Sequence, residues 1–440
     1  MTYNNIEELR KILFEELKNV DPSKPIKLPY DNDLLHQLLF ENGRIYDKYP
    51  ILDRIDFSEI DFTGIDISNF DFTGLHGVKI NPQTIKNKDL GFTICNGVEF
   101  IGPFDEVRIK ETDFTGSKGA VINPRKIFAD YKGVKFADVT FEGCFVGVHI
   151  SGADFTGSKG AVIDLQTIYG KDIRDTKLAD AVLKGGFKGV WVRGADFTNA
   201  LGIKKLFKYE KGVKINPQEV YGRNFSDTIC NGVEFIGPFK DTEIAGADFT
   251  GSTGAVINFE NYNGYDHADL TGAKLSGVRF KGVIVGALIA GADFTGSINA
   301  KIDPQKSYRQ NMNGTICNGV EFVNTSDISS PASFFGVSII ETNFTGSKGA
   351  IINPREVYDR DFTRTTCKDV IFDGEFDGVI VRETNFLNVN ASVSPFELFL
   401  RTFLYGQLQI ASSFDDRLFA ALLETDNTSK VASDILSISE

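Results

Sequence analysis

The sequence predicts a mainly-β solenoid with four sides and short α-helical segments at both ends. Three observations carry this. A motif like Asp-Phe-Thr-Gly recurs, with its Phe at 72, 114, 155, 197, 249, 294, 344 and 386, so one unit of roughly 42 residues fills most of the chain. Within a unit, large apolar residues recur every five residues with one step of four, as in Ile163, Ile168, Ile173, Leu178, Leu183, Phe187, Val192 and Phe197. The aromatic set is 38 Phe against 13 Tyr and one Trp. A ring without a polar atom is the one that stacks in a dry column at no hydrogen-bonding cost.

A period of five matches neither the 3.6 of a helix nor the 2 of an ordinary strand. It fits a chain that turns a corner every five residues and sends one large side chain inward from each short face. If four faces close a coil, the eight steps of a unit make two coils. The residue two before the inward one is often small, as at Ala153, Ala195, Ala247 and Ala292. A narrow tube requires that of its second inward side chain. Coils stacked at the strand spacing of about 4.8 Å let each backbone satisfy the next, and about 15–16 coils are expected.

In chain order, residues 1–50 read as an N-terminal helical cap. Asn5 and Glu8 have capping-box spacing ahead of Leu9, Leu13 and Leu17, and Leu34, Leu35, Leu38 and Leu39 give a second apolar stripe. The repeat array spans 51–392 and opens with IDFSEIDFTGIDISNFDFTG, where Phe57, Phe62, Ile67 and Phe72 stand five apart. The string DFTGSKGAVI occurs at 113–122 and 154–163, with NFTGSKGAII at 343–352. Its glycines and lysine invite comparison with a phosphate-binding loop, but the eight-residue step survives without the lysine in DFTGSTGAVI and DFTGLHGVKI, and no helix pattern follows. It reads as a wide corner, with an outward row of Lys118, Lys159 and Lys348 among Thr253, Ile298 and Leu75.

Segments such as ADFTG, TKLAD, AVLKG and IDFTG resemble the pentapeptide repeat family over about residues 51–390. That resemblance implies a right-handed four-sided β-helix with Leu or Phe inside. The eight-residue steps, INPQ-like segments and two insertions depart from the plain pattern, so regular corners are not expected there.

The insertions lie near 200–212 and 324–336. The first, TNALGIKKLFKYEKGVKI, gathers Lys204, Lys205, Lys208, Lys211 and Lys214 with Phe207 and Tyr209, and these seven are the candidate partner-binding residues. The second adds TSDISSPASFF. After residue 392, Ser394, Pro395 and Glu397 open a helical pattern carrying Phe396, Leu400, Phe403, Leu404 and Leu408. Residues 393–440 are therefore a helical cap over the last coil or a homodimer interface, a mode some pentapeptide repeat proteins use.

No catalytic, cofactor-binding or metal-binding residues emerge. Cys95, Cys230, Cys317 and Cys367 occupy inward positions, and Cys144, beside inward Phe145, is the one expected to differ in exposure. No cysteine pair has disulfide or zinc spacing, His149 and His267 are placed at the surface, and repeated aspartates such as Asp113, Asp154, Asp196, Asp248 and Asp293 read as corner hydrogen-bond acceptors rather than calcium ligands.

The formal charge of −13 and the absence of a long apolar run argue against nucleic-acid binding and membrane insertion. The acidic opening residues imply no export, and the sparse cysteines suggest a reducing, cytoplasmic setting. The functional expectation is a non-enzymatic rigid scaffold whose faces and inserted loops engage a protein. One alternative, implied by the resemblance, is a partial DNA mimic that binds a type II topoisomerase. Residues 51–390 carry 44 acids against 37 bases, too weak for whole-length mimicry of a duplex with one phosphate per about 1.7 Å. A second alternative is an effector whose array carries an enzyme, which the short ends leave little room for.

Overall fold

The computed structural model describes residues 26–27, 55–58, 60–125, 130–205, 208–259, 268–374, 376, 378–386 and 390–391. The helices expected within 1–50 and 393–440 lie outside these residues. The described chain is a mainly-β solenoid of about 14 turns. It forms two compact units, one of residues 1–224 with 228–234 and one of 225–227 with 235–440.

The five-residue period is the inward column. Phe155, Ile163, Ile168, Ile173, Leu178, Leu183, Phe187, Val192 and Phe197 are all buried, so four inward side chains line each coil. Ala153, Ala195, Ala247 and Ala292 are buried too. Where Thr takes that small position, its hydroxyl donates to a carbonyl of an adjacent coil, as from Thr176 to Ile150 at 3.0 Å and from Thr365 to Ile339 at 2.8 Å. That removes the cost of a buried hydroxyl. Rings pack along the interior, Phe114 stacking on Phe136 at 6.4 Å and Phe136 against Phe155 at 5.0 Å.

Short parallel strands join coil to coil, as in the register Val162↔Val182 and Ile163↔Leu183. Between them single residues bridge, as in Asp113↔Lys135, Lys135↔Asp154, Asp154↔Lys177 and Lys177↔Asp196. The INPQ-like segments form the expected irregular corners: Pro217–Glu219 is a 3-10 turn capped by Asn216, whose side chain accepts from the Gln218 N–H, and Tyr221–Arg223 follows with Gly222 left-handed. Within 1–50, Ile26–Lys27 pairs in parallel with Ile55–Asp56. A strand, not helix alone, thus lies in the expected N-terminal cap, and it covers backbone groups that a first coil would leave open.

Candidate partner-binding surface

The repeated corner settles what its glycines do. In the copy at 154–163, the Lys159 N–H donates to Val139 at 2.9 Å and its carbonyl accepts from Phe141 at 2.7 Å, so the corner lies directly on the preceding coil. Gly160 follows at φ +73°, and a Cβ there would meet the Phe141 carbonyl oxygen at 2.8 Å. The same approach to a Phe carbonyl recurs at Gly119, Gly254 and Gly349. Left-handed backbone and close approach both select glycine. The corner is architecture.

The serine before the lysine is also structural. Ser117, Ser158, Ser252, Ser297 and Ser347 each hold Oγ buried without a hydrogen-bond partner among the described residues. Leu75 and Ala200 occupy the same place and are buried. Leu75 therefore does not belong to the outward row. Counting from Phe72, the outward residue is exposed His76, while Leu75 takes the inward serine position.

The corner at 197–215 begins in the same way and then leaves the stack. Ala200 is buried and the Leu201 N–H donates to Ala181 at 2.9 Å. Leu201–Lys205 runs out and Lys208–Lys211 returns antiparallel, pairing Gly202↔Glu210 and Ile203↔Tyr209 and, after a shift of register between Ile203 and Lys205, Lys205↔Lys208. The hairpin ends a five-stranded sheet whose order is Cys144–Phe145, Val162–Asp164, Val182–Lys184, Leu201–Lys205, Lys208–Lys211. The chain rejoins at Gly212, which bridges Leu201. Both glycines at this neck are forced. A Cβ on Gly202 would meet the Gly212 oxygen at 2.8 Å, and one on Gly212, at φ +87°, would run into the Gly232 oxygen.

Of the seven candidate residues, Lys204 and Lys205 fall on the outgoing strand and Lys208, Tyr209 and Lys211 on the returning one. Phe207 lies outside the described residues. Lys214 belongs elsewhere: it is past the neck, in the coil, and its Nζ pairs with Glu234 at 2.9 Å.

The second insertion is organised by side chains. Asp303, only 3% exposed, accepts from the Thr325 N–H at 2.9 Å and from its hydroxyl at 2.5 Å. Asn324 and Asp327 accept from the following backbone and serines, and Asn324 Nδ2 reaches the Pro331 carbonyl at 3.3 Å. Ala332 and Phe334 return to the core, leaving Ile328 95% exposed at the surface.

Charges on the coils alternate. Lys135 pairs with Asp113 at 2.7 Å, and Lys177 with Asp154 and Lys274 with Asp248 at 2.9 Å each. Each of these aspartates also accepts from the N–H two residues on, the corner role expected of them. Partial burial pushes these three carboxyls up, but the hydrogen bonds from Lys and Thr outweigh it and hold them below the usual carboxylate range. Elsewhere Lys79 and Lys118 flank Glu99, and Lys301 and Lys348 flank Glu321.

Cys95, Cys230, Cys317 and Cys367 are buried and Cys144 is half-buried, as its position suggested. Burial pushes the Cys144 thiol up, the opposite of what a nucleophile needs. His149 is half-buried and packs its ring on Tyr169, and His267 lies outside the described residues. Among the described residues no three His, Cys, Asp or Glu side chains come together to hold a metal, and no helix is long and apolar enough to cross a membrane.

Sequence reasoning missed one surface. On one face of the first unit, Tyr169 packs on His149 with centroids 3.9 Å apart, and Tyr221 stacks on Trp191 at 3.8 Å and 24°. The Arg174 guanidinium lies over the Trp191 ring at 5.0 Å and pairs with Asp172 at 2.8 Å. The signal was the recurrence of Tyr-Gly-Lys-Asp at 169–172 as Tyr-Gly-Arg-Asn at 221–224.

No family model matches the chain, and no curated protein does. Among solved structures it is similar to QnrB1, a plasmid-mediated fluoroquinolone resistance protein, at 14% identity over 67% of this chain and 99% of that one, with a TM-score of 0.15. It is also similar to HetL, a pentapeptide repeat protein involved in heterocyst differentiation regulation from the cyanobacterium Nostoc sp. strain PCC 7120, at 11% identity over 74% and 86%, with a TM-score of 0.13. At such scores neither structure carries an argument, and the fold rests on the chain's own coils. The chain is a β-solenoid, consistent with the pentapeptide repeat family. Its five-residue inward column and coil-to-coil pairing are what that family's repeats imply.

Proposed function

We propose that this chain is a non-enzymatic, protein-binding scaffold whose principal contact is the hairpin at 201–211. The observation that carries the reading is the broken corner. The coil keeps its register up to Leu201 and resumes it at Gly212, so the hairpin serves no closure of the coil. What it adds is a hairpin segment whose sequence carries Lys204, Lys205, Phe207, Lys208, Tyr209 and Lys211. Basic residues interleaved with aromatics suit an acidic protein surface with apolar contacts.

The alternating Asp–Lys and Lys–Glu ladders count against a DNA mimic, which needs acids uninterrupted from coil to coil. Burial raises the Cys144 thiol, which counts against its use as a nucleophile.

The test is affinity capture from the native host with the intact protein and with a variant in which 203–211 is replaced by a short turn at the glycine neck. Loss of specific partners from the shortened variant is expected. Undiminished capture overturns the hairpin's role.

A further inference from the structure

We propose that the aromatic ladder of the first unit is a second docking surface, which takes an extended acidic peptide segment of a partner protein. The inference rests on the protein-binding reading but not on the hairpin.

The ladder runs through consecutive coils. His149 and Tyr169 face each other across one coil step. The next coil carries Trp191, with Arg174 over its ring from the coil before and Tyr221 stacked on it from the coil after. Bridges Asp130↔His149 and Asp172↔Trp191 fix the order. This surface is open: Tyr169 is 61% and Tyr221 51% exposed.

The chemistry selects the occupant. An aromatic ring is negative on its faces and positive at its edge. Trp191, the middle ring, has Tyr221 stacked on it and the guanidinium over it, so a ligand meets its edge. Trp191 Nε1–H and the Tyr169 and Tyr221 hydroxyls bring donors to this surface. Segments 147–152, 169–175, 188–194 and 219–224 carry five Lys or Arg against three Asp or Glu. Edges, donors and excess positive charge all call for carboxylates. Single-stranded nucleic acid is the poorer fit, because the middle ring, Trp191, is already covered by Tyr221 and the guanidinium and offers no base a place to stack. Stacked coils repeat at about 4.8 Å, so a strand-like peptide lying along the stack meets several rungs.

Trp191 is the only tryptophan in the chain, so its emission reports directly on this surface. The experiment titrates the full chain with a short polyglutamate peptide, with polylysine and oligo-dT as comparators. A saturable change with polyglutamate is expected at low salt, suppressed near about 0.5 M salt, where charge attraction is screened. Arg174→Gln and Tyr221→Ala should each weaken it by about fivefold or more, as loss of one good contact does. Calorimetry gives the affinity of the Tyr221 variant, whose emission is altered by the substitution itself. The hairpin-shortened variant should respond like the parent. No saturable change, tighter binding of oligo-dT, or unchanged affinity in both point variants overturns the proposal. Loss of the response with hairpin-dependent capture intact removes this surface alone, and the reverse pattern removes the hairpin alone.

Discussion

The corner at 158–163 and the corner at 200–215 begin from the same inward Phe and the same hydrogen bond to the preceding coil, through Lys159 and Leu201. In the first, the chain crosses the preceding coil in a few residues, with Gly160 pressed under the Phe141 carbonyl. In the second, a hairpin is spliced between Gly202 and Gly212, and the stack resumes beyond it. The difference teaches that the glycines belong to the architecture in both places, and that whatever the inserted residues do, they do not do it for the coil.

The comparison breaks first at the core. Phe155→Ala and Phe197→Ala should each destabilise by about 3–5 kcal/mol, since each opens a large cavity in the same kind of column. A much smaller loss at Phe197, read by urea unfolding, means that the hairpin corner is packed differently. Next come the glycines. Gly160→Ala and Gly212→Ala should cost roughly 1–3 kcal/mol through strained backbone and a carbonyl clash. Gly170→Ala, at φ +60° with no atom within 4 Å of the added Cβ, should lose only the backbone part. Equal losses at all three remove close approach as the reason for glycine.

Acid sensitivity sharpens the account of the ladders. Asp113, Asp154 and Asp248 have folded pKa values below their unfolded ones, so they contribute stability above the unfolded value and lose it as the pH falls through the folded one. The window is therefore below about pH 4. Replacing Lys135, Lys177 and Lys274 with Ala should move acid unfolding to higher pH; an unmoved midpoint means that the pairs are screened away. The smallest effect is expected from the hairpin. Its replacement by a short turn should change stability by less than about 1 kcal/mol, as replacement of a loop whose ends already meet does. A larger change in thermal or urea unfolding makes the hairpin part of the fold.

The period of five disclosed the inward column because burial imposes one large residue per face, and the same logic placed the cysteines. Leu75 shows where it failed. An eight-residue step contains an extra inward site, and counting from the wrong end of it put a buried leucine in an exposed row. The hairpin was visible as an excess of ten residues, yet its pairing depends on a register that composition does not reveal. The ladder of Tyr169, Trp191 and Tyr221 was hidden because its members are 22 and 30 residues apart. Only the coil length, altered here by the insertion itself, brings them into stacking distance. Asp303 was equally hidden: it holds Thr325 across 22 residues.

The claim that matters most is that the repeated corner is structural while the broken one binds. It is tested by comparing two variants for affinity to the partner captured by the intact protein. Lys118, Lys159 and Lys348 changed to Ala should leave affinity unchanged. Lys204, Lys205, Lys208 and Lys211 changed to Ala should lower it by about tenfold or more, the loss of about 1.4 kcal/mol. If the corner variant loses affinity and the hairpin variant keeps it, the assignment is reversed.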